Sequence, residues 1–219
     1  MTLSAKREAN DAQRQRREQM TNDRHIITIV SGLPRSGTSL IMQMLQAGGM
    51  ELLTDNVRHA DEDNPKGYYE FELVKQLKEN QEWVSMARGK AIKVISELLQ
   101  YLPSSYDYRV IFVERNIDEI LASQRNMLQR RKKKGGHENE LKIKKVFEKH
   151  LVTIRSWLGK QSNMSVLYVN YNEIIKNPAV TIHKINNFFA DSLNESSMLS
   201  VIDRKLYRNI VHTQKLRIN

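Results

Sequence analysis

The sequence predicts an α/β domain of three layers, a central parallel sheet flanked by helices. Three observations lead there. Short β-branched apolar runs, of the kind buried on both faces of a parallel sheet, recur at Ile26–Val30, Ala91–Ile95, Arg109–Val113 and Val166–Val169. Segments with helical period and helical start signals alternate with them. The chain has 219 residues, a length that suits one domain at about 150 residues per domain.

Residues 1–24 carry charge without apolar periodicity, and we expect a polar helical arm there, with the folded domain spanning 25–219. This stretch is too polar for a secretory leader. The first strand leads through a loop into a helix over Ser39–Ala47, with Leu40, Met44 and Ala47 on one stripe and Gly48-Gly49 as its stop. After the third strand Asn116 offers an N-cap, and Asp118 and Glu119 fall in the first turn, where carboxylates suit the helix dipole. That helix runs to about Arg131 and meets a turn at Lys132-Lys133-Lys134-Gly135-Gly136. A long helix follows over about Glu138–Lys160, then the fourth strand. Asn177-Pro178, a cap with proline in the first turn, opens a helix to about Ala190. Trp83 and Trp157 lie in helical apolar patterns and read as core. Glu70 and Glu72 read as exposed positions on a helix.

Composition removes several classes of chemistry. With no cysteine there is no disulfide, thiolate metal site or thiol nucleophile, and a reducing, cytoplasmic setting is expected. No apolar run approaches the roughly 20 residues of a membrane span. The net charge is +10, yet residues 25–124 hold ten Lys/Arg against fourteen Asp/Glu, whereas residues 125–150 hold ten against three. Such a basic excess suits an anionic partner: nucleic acid, a membrane surface or a small polyanion.

Gly32-Leu33-Pro34-Arg35-Ser36-Gly37-Thr38-Ser39 sits between the first strand and its helix. A loop in that place turns free N–H groups and a helix dipole on an anion, and its glycines let the backbone come close. The glycine spacing is that of a nucleotide-binding P-loop, but Thr38 holds the lysine position and the cation has moved back to Arg35. That weakens the case for Mg-ATP. A second anion site is suggested by Arg115 at the end of the third strand, with Ser123 two turns into the next helix.

The loop over Gly32–Ser39 together with Arg115-x₇-Ser123 resembles the sulfotransferases that use 3′-phosphoadenosine-5′-phosphosulfate (PAPS). A third match is Val169-Asn170-Tyr171-Asn172-Glu173 before Asn177-Pro178. The resemblance covers roughly residues 26–190. It implies that Pro34, Arg35, Ser36, Gly37, Thr38 and Ser39 bind the 5′-phosphosulfate. It also implies that Arg115 and Ser123 bind the 3′-phosphate, that Tyr171 lies near the adenine, and that no metal is required. Two family features are missing: the histidine two residues after Lys93, and the C-terminal Arg-Lys-Gly motif, whose work would fall to Arg204, Lys205 or Arg208.

Sulfuryl transfer needs in-line placement, cations on the leaving oxygen and a base for the acceptor. Arg35 is the expected leaving-group cation and Lys93 a second one. For the base, the family pattern of a carboxylate about twenty residues past the loop cation points to Asp55, with Glu62 next. Tyr68 and Tyr69 either line the acceptor pocket or pack beneath it. The expected acceptor is a small molecule, glycan or lipid with a hydroxyl or amine, and no specific nucleic acid is expected. Two rival readings stand beside this one: a small-molecule or nucleotide kinase on the same scaffold, and a non-catalytic module that binds anions or nucleic acid.

Overall fold

The computed structural model describes residues 25–55, 57–130 and 140–203. The expected arm at 1–24, the Lys132–Gly136 turn and the candidates Arg204, Lys205 and Arg208 lie outside them. Among the described residues four strands form one sheet: β1 (Ile27–Gly32), β2 (Ala91–Lys93), β3 (Tyr108–Glu114) and β4 (Met164–Asn170), in the order β2-β1-β3-β4. Every pairing is parallel. The helices are α1 (Thr38–Ala47), α2 (Ile117–Arg130), α3 (Glu140–Leu158), α4 (Tyr171–Lys176), α5 (Pro178–Phe188) and α6 (Glu195–Ser200).

The alternation of side chains along β1 and β3 divides the core in two. Ile27, Ile29, Tyr108, Val110 and Phe112 pack on one face with Ile154 and Leu158 of α3. Val30, Ile111 and Val113 pack on the other with α1, α4, α5 and α6. These positions are fully or nearly fully buried, which is why the central strands read as continuous apolar runs.

Local expectations were met unevenly. Asn116 caps α2 as its sequence position predicts: its Oδ1 accepts from the Asp118 N–H at 2.8 Å. Asn177 does not cap α5 with its side chain, which instead donates to Glu173 Oε2 at 3.4 Å. The cap that forms is Asn170, whose Oδ1 accepts from the N–H groups of Asn172 and Glu173, so that α4 starts where β4 ends. Helix α1 is buried from Ile41 to Leu45 and not along a stripe alone, because it lies between the sheet and α6, with Met198 against Gly48. The stretch between α1 and β2 holds 3₁₀ turns at Glu72–Gln76 and Glu82–Ala87 and no α-helix. Glu70 therefore stands outside any helix or strand and is half-buried, contrary to the exposed helical position expected of it. Trp83 is core, as expected, and Trp157 packs against the same cluster.

Candidate active site

All four strands end at one site. The order β2-β1-β3-β4 reverses direction at β1, so the crevice between the C-terminal ends of β1 and β3 is the place where an open parallel sheet leaves room for a ligand. Register brings the ends level: Val30 pairs with Lys93, Gly32 with Val113, and Glu114 with Asn170. Lys93 thus arrives from β2, the Gly32–Ser39 loop from β1, Arg115 from β3 and Tyr171 from β4.

The loop is compact because its glycines allow it. A Cβ on Gly37, whose φ is 107°, would lie 2.2 Å from the Tyr171 ring. Arg35 adopts φ 73°, a left-handed conformation costing on the order of 1 kcal/mol for a non-glycine residue. Its side chain explains the constraint: Nε donates to Ser123 Oγ at 3.0 Å and Nη2 to the Asp63 carbonyl at 3.2 Å. Arg115 Nη1 donates in turn to the Arg35 carbonyl at 3.2 Å. The guanidinium of Arg115 stacks 4.4 Å from the Tyr171 ring centroid and its Nε binds Glu119. Arg35, Ser123, Arg115 and Tyr171, far apart in sequence, form one contiguous group.

Lys93 completes the cationic wall. Its Nζ donates to the Tyr68 carbonyl at 2.6 Å and to Ser39 Oγ at 3.1 Å, and lies 3.8 Å from Glu70 Oε1. Burial lowers its pKa to about 8, against the opposing pull of Glu70. Burial also lowers the Arg35 pKa, with Asp63 opposing. These groups surround a cavity of about 420 Å³, lined by Pro34, Arg35, Gly37, Thr38, Ser39, Lys93, Arg115, Ser123 and Tyr171 among others. Ser36 is not on its wall; its hydroxyl is buried behind the loop with no hydrogen-bond partner among the described residues.

The sulfotransferase domain family matches residues 25–210. The chain belongs to that family. Three solved structures show what this sulfotransferase domain is similar to. The mouse sulfotransferase SULT7A1, complexed with PAP, is 17% identical over 84% of this chain and 64% of that chain, with a TM-score of 0.51. A sulfotransferase domain from the curacin biosynthetic pathway is 14% identical over 84% of this chain and 83% of its own, with a TM-score of 0.46. The sulfotransferase STF9 from Mycobacterium avium is 14% identical over 89% of this chain and 73% of its own, with a TM-score of 0.47. The likeness to the mouse protein is one of fold, and this chain spans 64% of its length. No curated protein sequence matches the chain.

The family's carboxylate spacing led to Asp55, which the structure places off the cavity wall. Its two oxygens accept from the backbone N–H groups of Val57 and Glu72, so it fastens a turn. Glu62 is exposed and also off the wall. The carboxylates on the wall are Asp63, Glu70 and Asp203. Glu70 accepts from Arg58 Nη1 at 3.0 Å, and Arg58 lies 3.3 Å over the ring of Tyr68, whose hydroxyl donates to Asp61 at 2.6 Å. Tyr68 both lines the pocket and packs, being 5% exposed. Sequence reasoning missed Arg58, Asn64 and Arg130. For Arg130 a signal existed: Ser123, Met127 and Arg130 share one face of α2 by helical period, and all three line the cavity. For Arg58 and Asn64 the local sequence carries none.

Among the described residues no helix is long and apolar enough to cross a membrane.

Proposed function

We propose that this sulfotransferase domain moves a sulfuryl group from PAPS to a hydroxyl or amine of a small-molecule, glycan or lipid acceptor. The observation that carries the reading is the meeting of Arg35 and Ser123 on the wall of one cavity, 3.0 Å apart, with Arg115 hydrogen-bonded to the Arg35 carbonyl. Two candidate anion sites, read separately from the sequence, are neighbours in space.

In this reading the loop Pro34–Ser39 holds the 5′-phosphosulfate, with the Ser36 side chain buried behind the loop. Arg115 and Ser123 take the 3′-phosphate, and Tyr171, stacked on Arg115, borders the adenine. Arg35 and Lys93 face the bridging oxygen, where negative charge grows as the sulfur–oxygen bond breaks. The acceptor oxygen or nitrogen forms the new bond to sulfur, and its proton passes to a carboxylate. Glu70 is better placed for that proton than Asp55, because it lies on the cavity wall beside Lys93. A cytoplasmic location, suggested by a chain without cysteine, belongs to the same proposal.

The test is calorimetric titration with adenosine 3′,5′-bisphosphate and, separately, Mg-ATP. The bisphosphate is expected to bind, and Arg35→Ala and Ser123→Ala each to weaken it about tenfold or more, as for loss of a charge-assisted contact. Binding of Mg-ATP with none of the bisphosphate would favour the kinase reading.

A further inference from the structure

We propose that Glu119, with Asn172 behind it, is a positioning residue that aims Arg115 and so sets the preference of this domain for a nucleotide bearing a 3′-phosphate. The inference rests on the donor reading above and adds residues to it that do not touch the ligand.

Glu119 is 2% exposed in the first turn of α2. A carboxylate there is favourable to the helix dipole without being buried, as its neighbour Asp118 illustrates: that side chain is 49% exposed and pairs with Lys144. Burying a carboxylate is costly unless it is paired and hydrogen-bonded, so the inward position of Glu119 calls for a reason of its own. Its partners supply one. Oε2 accepts from Arg115 Nε at 3.0 Å, and Oε1 accepts from Asn172 Nδ2 at 3.0 Å. Asn172 stands one residue beyond Tyr171 in α4, the helix capped by Asn170 at the end of β4.

The guanidinium of Arg115 is thereby fixed on three sides. Glu119 holds the Nε edge, the Tyr171 ring covers a face, and the Arg35 carbonyl takes Nη1. Arg115 lines the cavity and Glu119 does not, so Glu119 acts on a ligand there only through the guanidinium it holds. A planar fork selects a phosphate through its direction as well as its charge.

Charge and direction predict opposite signs. By charge alone Glu119 partly cancels Arg115, so removing it would strengthen phosphate binding. By positioning, removing it frees the guanidinium to turn and weakens binding, for the 3′-phosphate only.

The experiment measures dissociation constants of adenosine 3′,5′-bisphosphate and of adenosine 5′-monophosphate for the wild type, Glu119→Ala, Glu119→Gln and Asn172→Ala. The wild type is expected to prefer the bisphosphate. That preference should fall about tenfold in Glu119→Ala and roughly threefold in Glu119→Gln and Asn172→Ala, with monophosphate binding unchanged, since an ordered charge-assisted contact is lost or loosened. Asn172→Ala leaves the Arg115–Glu119 pair in place, so it decides the matter if the Glu119 variants do not fold. A preference that stays the same or rises, or both nucleotides weakening alike, overturns the assignment alone. A wild type that holds the two nucleotides equally overturns the donor reading and this assignment with it.

Discussion

Lys93 is a cation kept where water is scarce. Desolvation pulls its pKa from the ordinary lysine value of 10.5 to about 8, and Glu70 limits the fall. It is therefore still charged at pH 7 and loses its proton just above. Between about 8 and 10.5 the unfolded chain keeps a proton that the folded one has released, so this group's contribution to stability rises with pH across that window. Its contribution to anion binding has the opposite slope. We predict that affinity for adenosine 3′,5′-bisphosphate falls as pH climbs through and above about 8, and that Lys93→Arg removes this inflection. Titrations at a series of pH values check it. Affinity that stays flat across the window would mean that Lys93 does not face the anion.

The loop between β1 and α1 shows how one element constrains another. The glycine spacing was legible in the sequence, because a phosphate loop needs a tight backbone wherever it occurs. The reason for Gly37 in particular was not legible, since the ring that excludes a side chain there belongs to Tyr171 at the far end of the sheet. Two costs combine in Gly37→Ala: a φ of 107° and a Cβ placed 2.2 Å from Tyr171 Cδ2. Together they are expected to destabilise the domain by about 3 kcal/mol or more. Adding Tyr171→Ala should relieve the steric part and leave the backbone part, so the double variant should lose less than the sum of the single ones. Denaturant unfolding of the four proteins measures this, and strict additivity would mean that ring and loop are independent. The Asn170 cap belongs to the same scale. It went unread because the residues after it, Tyr171 to Lys176, form a helix of under two turns, too short to show a period.

At the scale of the molecule, what could be read was what local chemistry enforces. The strands of the buried sheet announce themselves as apolar runs, and Arg115 and Ser123 stand out because a strand end and a helix turn fix their spacing. Residues 54–70 follow another logic. Asp63 accepts Arg35 on its carbonyl and Arg130 on its carboxylate; the Tyr68 carbonyl accepts Lys93 and Ser39; Asn64 donates to Ser39 Oγ. These partners come from four different elements, so no periodicity within the segment encodes its path, and chain distance from Arg35 could not locate the acidic residue that reaches the cavity. The same contacts make a last prediction. Arg35, Ser39 and Lys93, which we assign to the phosphosulfate, currently hold oxygens of residues 63–68. A bound nucleotide at a hundred times its dissociation constant stabilises the fold by about 2.7 kcal/mol through mass action, and amides throughout the sheet should exchange more slowly. Residues 61–70 should be the exception, because donor oxygens compete for the very groups that fasten them. Hydrogen-exchange mass spectrometry with and without adenosine 3′,5′-bisphosphate distinguishes the cases: unchanged or faster exchange in 61–70 against slower exchange in β1 and β3 is the expected pattern, and uniform slowing would show that the segment keeps its anchors when the site fills.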